Sequence, residues 1–190
     1  LHGANRLGGN SLSEVLIFGK AAGEAAARRS KQTNLFIRSE NPIQKAHEKI
    51  NSFNKTGNEL VRPLQHEIRQ TMWIKCGVIR DEIGLKEAIK TIESIKKRSK
   101  NIDVRVTFDS GQDLIEAFEL EASLISAEAT LISALARKES RGAHQRSDYP
   151  KQDSSYNVNY TVCLKNERAL NISKREIKQI DLDLMNVIRE

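Results

Sequence analysis

The chain predicts a mainly α fold: an antiparallel three-helix bundle, preceded by one long helix and followed by a short β-hairpin and a tail. Three observations carry this. Apolar residues recur at helical spacing through residues 83–100 and 112–139. The connections between the helical stretches are short, which sets sequence neighbours antiparallel. After Pro150 the pattern switches to alternation rich in β-formers.

Taken in order, Ser11-Leu12-Ser13-Glu14 reads as a Ser-x-x-Glu capping box that starts a helix at about Ser11. Leu12, Val15, Leu16, Phe18, Ala22 and Ala26 then follow at helical spacing. The helix runs to about Ser30, where Arg28 and Arg29 suit the negative pole of its dipole. Gly19 and Gly23 clear a strip on it for another element. Asn41-Pro42 reads as an N-cap followed by proline at the first helical position, opening a second helix with Ile43, Ala46, Ile50 and Phe53 on one face. Thr56-Gly57-Asn58 breaks the chain. The bundle follows. Near Pro63 a helix begins with Leu64, Ile68 and Met72 as its buried stripe, Trp73 beside them, and Cys76-Gly77 as its end. Leu85, Ile89, Ile92 and Ile95 form the stripe of the next. The longest, from about Gln112 to Glu139, carries Leu114, Phe118, Ala122, Ile125, Ala129, Ile132 and Ala136 at alternating steps of four and three. Residues 155–164 then read as a strand, Lys165 to Arg168 as a turn and Ala169 to Ile172 as a short return strand. Ser173 to Glu190 closes as an amphipathic segment on Ile177, Ile180, Leu184 and Val187.

A chain of 190 residues with 38% apolar content can bury a core, and the length suits one domain with appendages. The expected division is a motif loop and helix (residues 1–40), the bundle (41–144), and the hairpin with its tail (145–190). No apolar run approaches the roughly 20 residues of a membrane span, which argues against direct membrane insertion. Cys76 and Cys163 form no Cys-x-x-Cys pair, so neither zinc nor a disulfide framework is indicated, and a reducing, cytoplasmic compartment fits. The net charge is +6, and Lys86 to Lys100 holds six basic against two acidic residues. Such a run reads as a solvated helix face, and the sparse aromatics give no stacking platform for nucleic acid.

The stretch His2-Gly3-Ala4-Asn5-Arg6-Leu7-Gly8-Gly9-Asn10-Ser11-Leu12 packs three glycines, two asparagines and an arginine into the lead-in of the first helix. The helix's first N–H groups lack intrahelical partners and its dipole leaves positive charge there, so an electron-rich or anionic ligand is favoured. A guanidinium at Arg6 matches a carboxylate with two parallel hydrogen bonds. This run, with Phe18-Gly19 and Ala22-Gly23, resembles the flavoprotein subunits of succinate dehydrogenases and fumarate reductases. A second block, Arg137-Lys138-Glu139-Ser140-Arg141-Gly142-Ala143-His144-Gln145-Arg146, continued by Asp148-Tyr149-Pro150, is similar to that family's other signature. L-aspartate oxidases of the same superfamily resemble the first run less closely where Gly8-Gly9 stands.

The resemblance implies an FAD oxidoreductase that interconverts succinate and fumarate and passes electrons to an iron–sulfur subunit. Such a subunit lies in the cytoplasm, peripheral to a membrane through its partners, and the first helix becomes an FAD-site helix. Arg6 inherits the grip on a substrate carboxylate. His2 is either a second carboxylate donor or a structural loop histidine. Ser11 and Leu12 open the helix end that would face the flavin's pyrimidine edge, with Asn10 beside them. The Gly-x-Gly-x-x-Gly turn, the histidine that many relatives join to FAD, and the arginine proton donor are expected before Leu1. The chain therefore reads as a C-terminal portion, with no catalytic residue, no metal ligand and an incomplete FAD site of its own. In the second block, Glu139, Arg141, His144 and Arg146 can be read as an acid/base cluster or as structure. The end of a long helix, with Gly142 as its C′ residue, favours structure. The rivals are an L-aspartate oxidase fragment and a helical scaffold without cofactor.

Overall fold

The computed structural model describes residues 9–33, 40–53, 56–104, 111–165 and 169–177. Among the described residues five α-helices, α1 (Asn10–Gln32), α2 (Glu40–Phe53), α3 (Val61–Lys75), α4 (Glu82–Arg98) and α5 (Gln112–Ala136), accompany four strands. The strands are β1 (Ile79–Arg80), β2 (Gln145–Arg146), β3 (Val158–Lys165) and β4 (Ala169–Glu176).

The expected bundle is α3, α4 and α5, and the charged pairs at its ends give the helix directions. Arg98, at the end of α4, binds Glu59, just before α3, and Glu67 in its first half. Lys75, at the end of α3, reaches Glu87 near the start of α4 at 2.6 Å. The two helices are therefore antiparallel. Arg62 forks onto Glu116, which sets the starts of α3 and α5 side by side. Up, down, up is the only order that satisfies all three. Between the helices lie Leu64 and Ile68 from α3, Leu85, Ile92 and Ile95 from α4, and Leu120, Leu124 and Leu131 from α5, all buried. Side chains of this kind each contribute about 1.5–3 kcal/mol through burial.

The stripe of α5 corrects the sequence reading. Ala117, Leu120, Leu124, Ala127, Leu131 and Ala134 face the core, whereas Phe118 and Ile125 are more than a third exposed. Both sets of residues keep steps of three and four, so periodicity alone could not choose between them. The leucines won because they fill the space against α3 and α4. Phe118 instead meets Phe53 of α2 edge-on, with ring centroids 4.7 Å apart. Trp73 is likewise 83% exposed rather than part of the α3 stripe. Helix α2 already includes Glu40, so Asn41 lies inside its first turn instead of capping it.

The hairpin pairs Val158 with Glu176 through Lys165 with Ala169 in antiparallel register. Its return strand extends to Glu176, four residues beyond the expected end, because Ser173 through Glu176 all find partners on β3. Strand pairing thus takes the first four residues of the expected amphipathic closing segment; residues 178–190 lie outside the described residues. A short parallel pair, Ile79 with Gln145 and Arg80 with Arg146, had no counterpart in the sequence reading.

Candidate functional site

Two places carry the residues singled out from sequence: the start of α1 and the segment after α5. His2 and Arg6 lie outside the described residues. The described part begins at Gly9, whose φ of 85° is open to glycine and strained for other residues. That conformation turns Asn10 directly into the helix. Gly9 is the N-cap, no side chain caps it, and Ser11 is the second helical residue; the capping-box start at Ser11 is thus corrected. No acidic residue stands in the first turn. Leu12 is 75% exposed, and Val15, Leu16, Ile17 and Phe18 continue the exposed apolar surface.

The second block is a lattice of buried charge. Helix α5 ends at Ala136 with Arg137 as its C-cap, so Gly142 is not the C′ residue. Gly142 (φ 58°) instead makes a tight reversal in which Arg141 and His144 exchange backbone hydrogen bonds of 2.8 and 3.0 Å. The buried Arg146 donates Nε and Nη2 to the two oxygens of Asp148 at 2.7 and 2.6 Å, and Nη1 to the Ala134 carbonyl at 3.0 Å. Its guanidinium also lies over Tyr149, 5.0 Å from the ring centroid. Asp148 in turn accepts the first N–H of α4, from Glu82, at 2.9 Å. The pair therefore places a cation on the C-terminal carbonyls of α5 and an anion at the N-terminus of α4, where each helix dipole favours it. It clips two helix ends together.

Glu139 is fully buried and accepts from Arg137, from Arg141 Nε at 2.8 Å and from the Asp153 N–H at 2.8 Å. Burial works against its charge, yet the donors from Arg141, Asp153 and Arg137 prevail and hold the carboxyl at about 2. Asp148 is also held at about 2, chiefly by Arg146. Both carboxylates are occupied at neutral pH, and neither is set to take up a proton there. His144 has its Nε2 3.1 Å from the Arg137 carbonyl and its Nδ1 3.4 Å from Arg80 Nη1. This pattern fits the neutral tautomer with the proton on Nε2. Burial pushes its pKa down, as do the nearby Arg80, Arg146 and Arg137, against the pull of the Arg137 carbonyl. The geometry favours the structural reading of Glu139, Arg141, His144 and Arg146 over the acid/base one. Among the described residues no cluster of three or more His, Cys, Asp or Glu side chains could hold a metal, and no helix is long and apolar enough to cross a membrane.

The sequence reading passed over Arg80 and Asp81, which follow the Cys76-Gly77 break. Asp81 caps α4 by accepting the Gly84 N–H at 2.7 Å, and an Asp directly before an apolar-periodic run was the available signal. Arg80 had no comparable signal, because the β1–β2 contact that places it joins residues far apart in sequence.

Residues 65–187 match the family model described as fumarate reductase flavoprotein C-term. The chain belongs to this family. It is 36% identical over 173 residues to the fumarate reductase flavoprotein subunit of Haemophilus influenzae, covering 88% of the chain and 28% of that protein. The succinate dehydrogenase flavoprotein subunit of Coxiella burnetii is 37% identical over 168 residues, 85% of the chain and 28% of the relative. Among solved structures, the quinol fumarate reductase of E. coli superposes with a TM-score of 0.83 at 31% identity, over 96% of this chain and 32% of that one. The chain thus spans less than a third of the length of the relatives it matches. The expected family and the mainly α fold class stand on these matches.

Proposed function

We propose that the chain is the C-terminal part of an FAD-dependent flavoprotein subunit that interconverts succinate and fumarate and hands electrons to an iron–sulfur partner. The observation that carries this reading is the His2–Leu12 run, leading directly into an uncapped helix start, in a chain of the fumarate reductase flavoprotein family. The start of α1 fits a flavin. Among the described residues nothing lies within 4 Å of where a Cβ on Gly9 would stand, and the first turn holds no acidic residue. Backbone N–H groups of Asn10, Ser11 and Leu12 would hold the electron-rich edge of the ring.

The flavin, when bound, supplies hydride acceptance or donation at N5. The chain's own residues position and polarise. Arg6 forks onto one carboxylate of the dicarboxylate and fixes the angle at which its carbon–carbon bond is presented, with His2 as a second donor. The positive end of the α1 dipole favours the reduced ring, on which negative charge develops. The whole subunit would then lie peripheral to a membrane, held there by its partners.

The direct test uses the full-length flavoprotein that contains this chain. Anaerobic addition of succinate should bleach the visible flavin absorbance, and L-aspartate should not. Bleaching by aspartate alone would replace the reading with an L-aspartate oxidase, and bleaching by neither would remove the oxidase and dehydrogenase readings together.

A further inference from the structure

An open depression of about 430 Å³ is bounded by α5, β1 and β3 and is lined by Arg80, Ala129, Ser133, His144, Tyr160 and Val162 among others. That size falls in the range of small-molecule sites. Its walls offer few hydrogen-bond donors. Thr130 gives its hydroxyl proton to the Ser126 carbonyl, Ser133 to Ala129 and Tyr160 to Ala136, so each is spent on a carbonyl of α5. Arg137 also lines the cavity, but its guanidinium is committed to Glu139 and to the Tyr156 and Val158 carbonyls.

Arg80 is different. Its Nε donates to the Gly77 carbonyl at 3.0 Å and its Nη1 lies 3.4 Å from His144 Nδ1; no carboxylate among the described residues pairs with it. Two constraints therefore fix where this half-buried guanidinium stands, while Nη2 and the second proton of Nη1 remain for a ligand. A neutral His144 next to it adds no competing anion. The rest of the wall is the committed Arg137, two alanines, a valine and the carbon faces of the spent hydroxyl residues. One fixed cation at the rim of an apolar hollow is the complement of a small organic carboxylate, with the carboxylate on Arg80 and the hydrocarbon on Ala129 and Val162.

We infer that this cavity is a binding site for a short-chain organic carboxylate, built from residues other than those proposed to hold the substrate. Inorganic phosphate has the charge but no apolar body to fill the hollow, and acetate fills little of it. Affinity should therefore rise from acetate to butyrate, with phosphate below butyrate.

The test is a titration of the isotope-labelled full-length flavoprotein that contains this chain with butyrate, acetate and inorganic phosphate, at ionic strength held constant with sodium chloride. The signals followed are the His144 ring and the backbone amides of Thr130 and Ser133. Butyrate should give saturable shifts at these positions. Removing the charge-assisted fork with Arg80→Gln should weaken binding roughly 10- to 150-fold. Ala129→Phe, which fills the hollow but leaves Arg80 in place, should abolish saturation and guards against a folding defect specific to the first variant. Linear shifts that never saturate, equal affinity in Arg80→Gln, or phosphate binding more tightly than butyrate would each overturn the inference.

Discussion

Replacing Glu139 by glutamine isolates what the buried carboxylate contributes. The substitution keeps size and shape but leaves two guanidinium groups without the charge they were built around. Removing one partner of a buried ion pair costs about 3–5 kcal/mol. Here Arg137 keeps the Tyr156 and Val158 carbonyls, and Arg141, whose side chain is 32% exposed, keeps water and the Asp153 carbonyl. These remaining partners place the loss near the lower end, about 3 kcal/mol. For a chain of this length that corresponds to roughly 6–12 °C in Tm. The pH dependence supplies a signature that simple loss of packing lacks. The folded carboxyl titrates at about 2, below its ordinary 4.5, so its stabilisation is present above about pH 4.5 and fades as pH falls toward 2. Urea melts followed by circular dichroism should show the parent well above Glu139→Gln at pH 7, and the gap narrowing between pH 4.5 and 2. A gap under about 0.5 kcal/mol at pH 7, within the ordinary scatter of surface substitutions, would refute the argument, as would a gap independent of pH.

Other consequences follow from the packing. Leu120→Ala should cost about 2–5 kcal/mol by opening a cavity between α5 and its neighbours, while Ile125→Ala on the exposed side should cost under about 1 kcal/mol; thermal melts in the reverse order would contradict the observed face of α5. Arg146→Lys keeps the charge but not the fork that spans Asp148 and the α5 carbonyls, so urea stability should fall by about 2–3 kcal/mol. Hydrogen exchange should then quicken at the end of α5 and the start of α4 together, and exchange quickening at one end alone would argue against a shared clip. Trp73 should show the red-shifted emission and ready acrylamide quenching of a solvent-exposed indole, and a blue-shifted, protected signal would place it in a core.

How much of this could be read from sequence depended on whether one pattern excluded its alternatives. Helix α4 could be read because only one of its faces carries leucine and isoleucine at consistent steps. Helix α5 could be found but not phased, since Ile115, Phe118, Ile125 and Ile132 compete with Leu120, Leu124 and Leu131. The return strand was cut short because Lys174 and Arg175 carry no β signature, and pairing with Tyr160 and Asn159 set the strand's length instead. The start of α1 was misplaced by one residue because a glycine with positive φ began the helix without the serine cap that sequence rules favour. At the Glu139–Arg146 block, the residue types announced paired, structural charge. Which groups paired depended on contacts across the bundle, such as Asp148 with the start of α4, that no local pattern encodes.

The claim on which the functional account rests is that Arg6 holds the substrate carboxylate beside a flavin seated at the start of α1. Steady-state succinate kinetics of Arg6→Lys in the full-length flavoprotein test it most directly, with flavin content measured on the same sample. Lysine keeps the charge and loses the planar fork, so affinity should drop roughly 10- to 150-fold and turnover should fall with the lost alignment. Flavin content should stay at the parent's level, because Arg6 is assigned to substrate and not to cofactor. Unchanged succinate kinetics in a fully flavinylated variant would contradict the account.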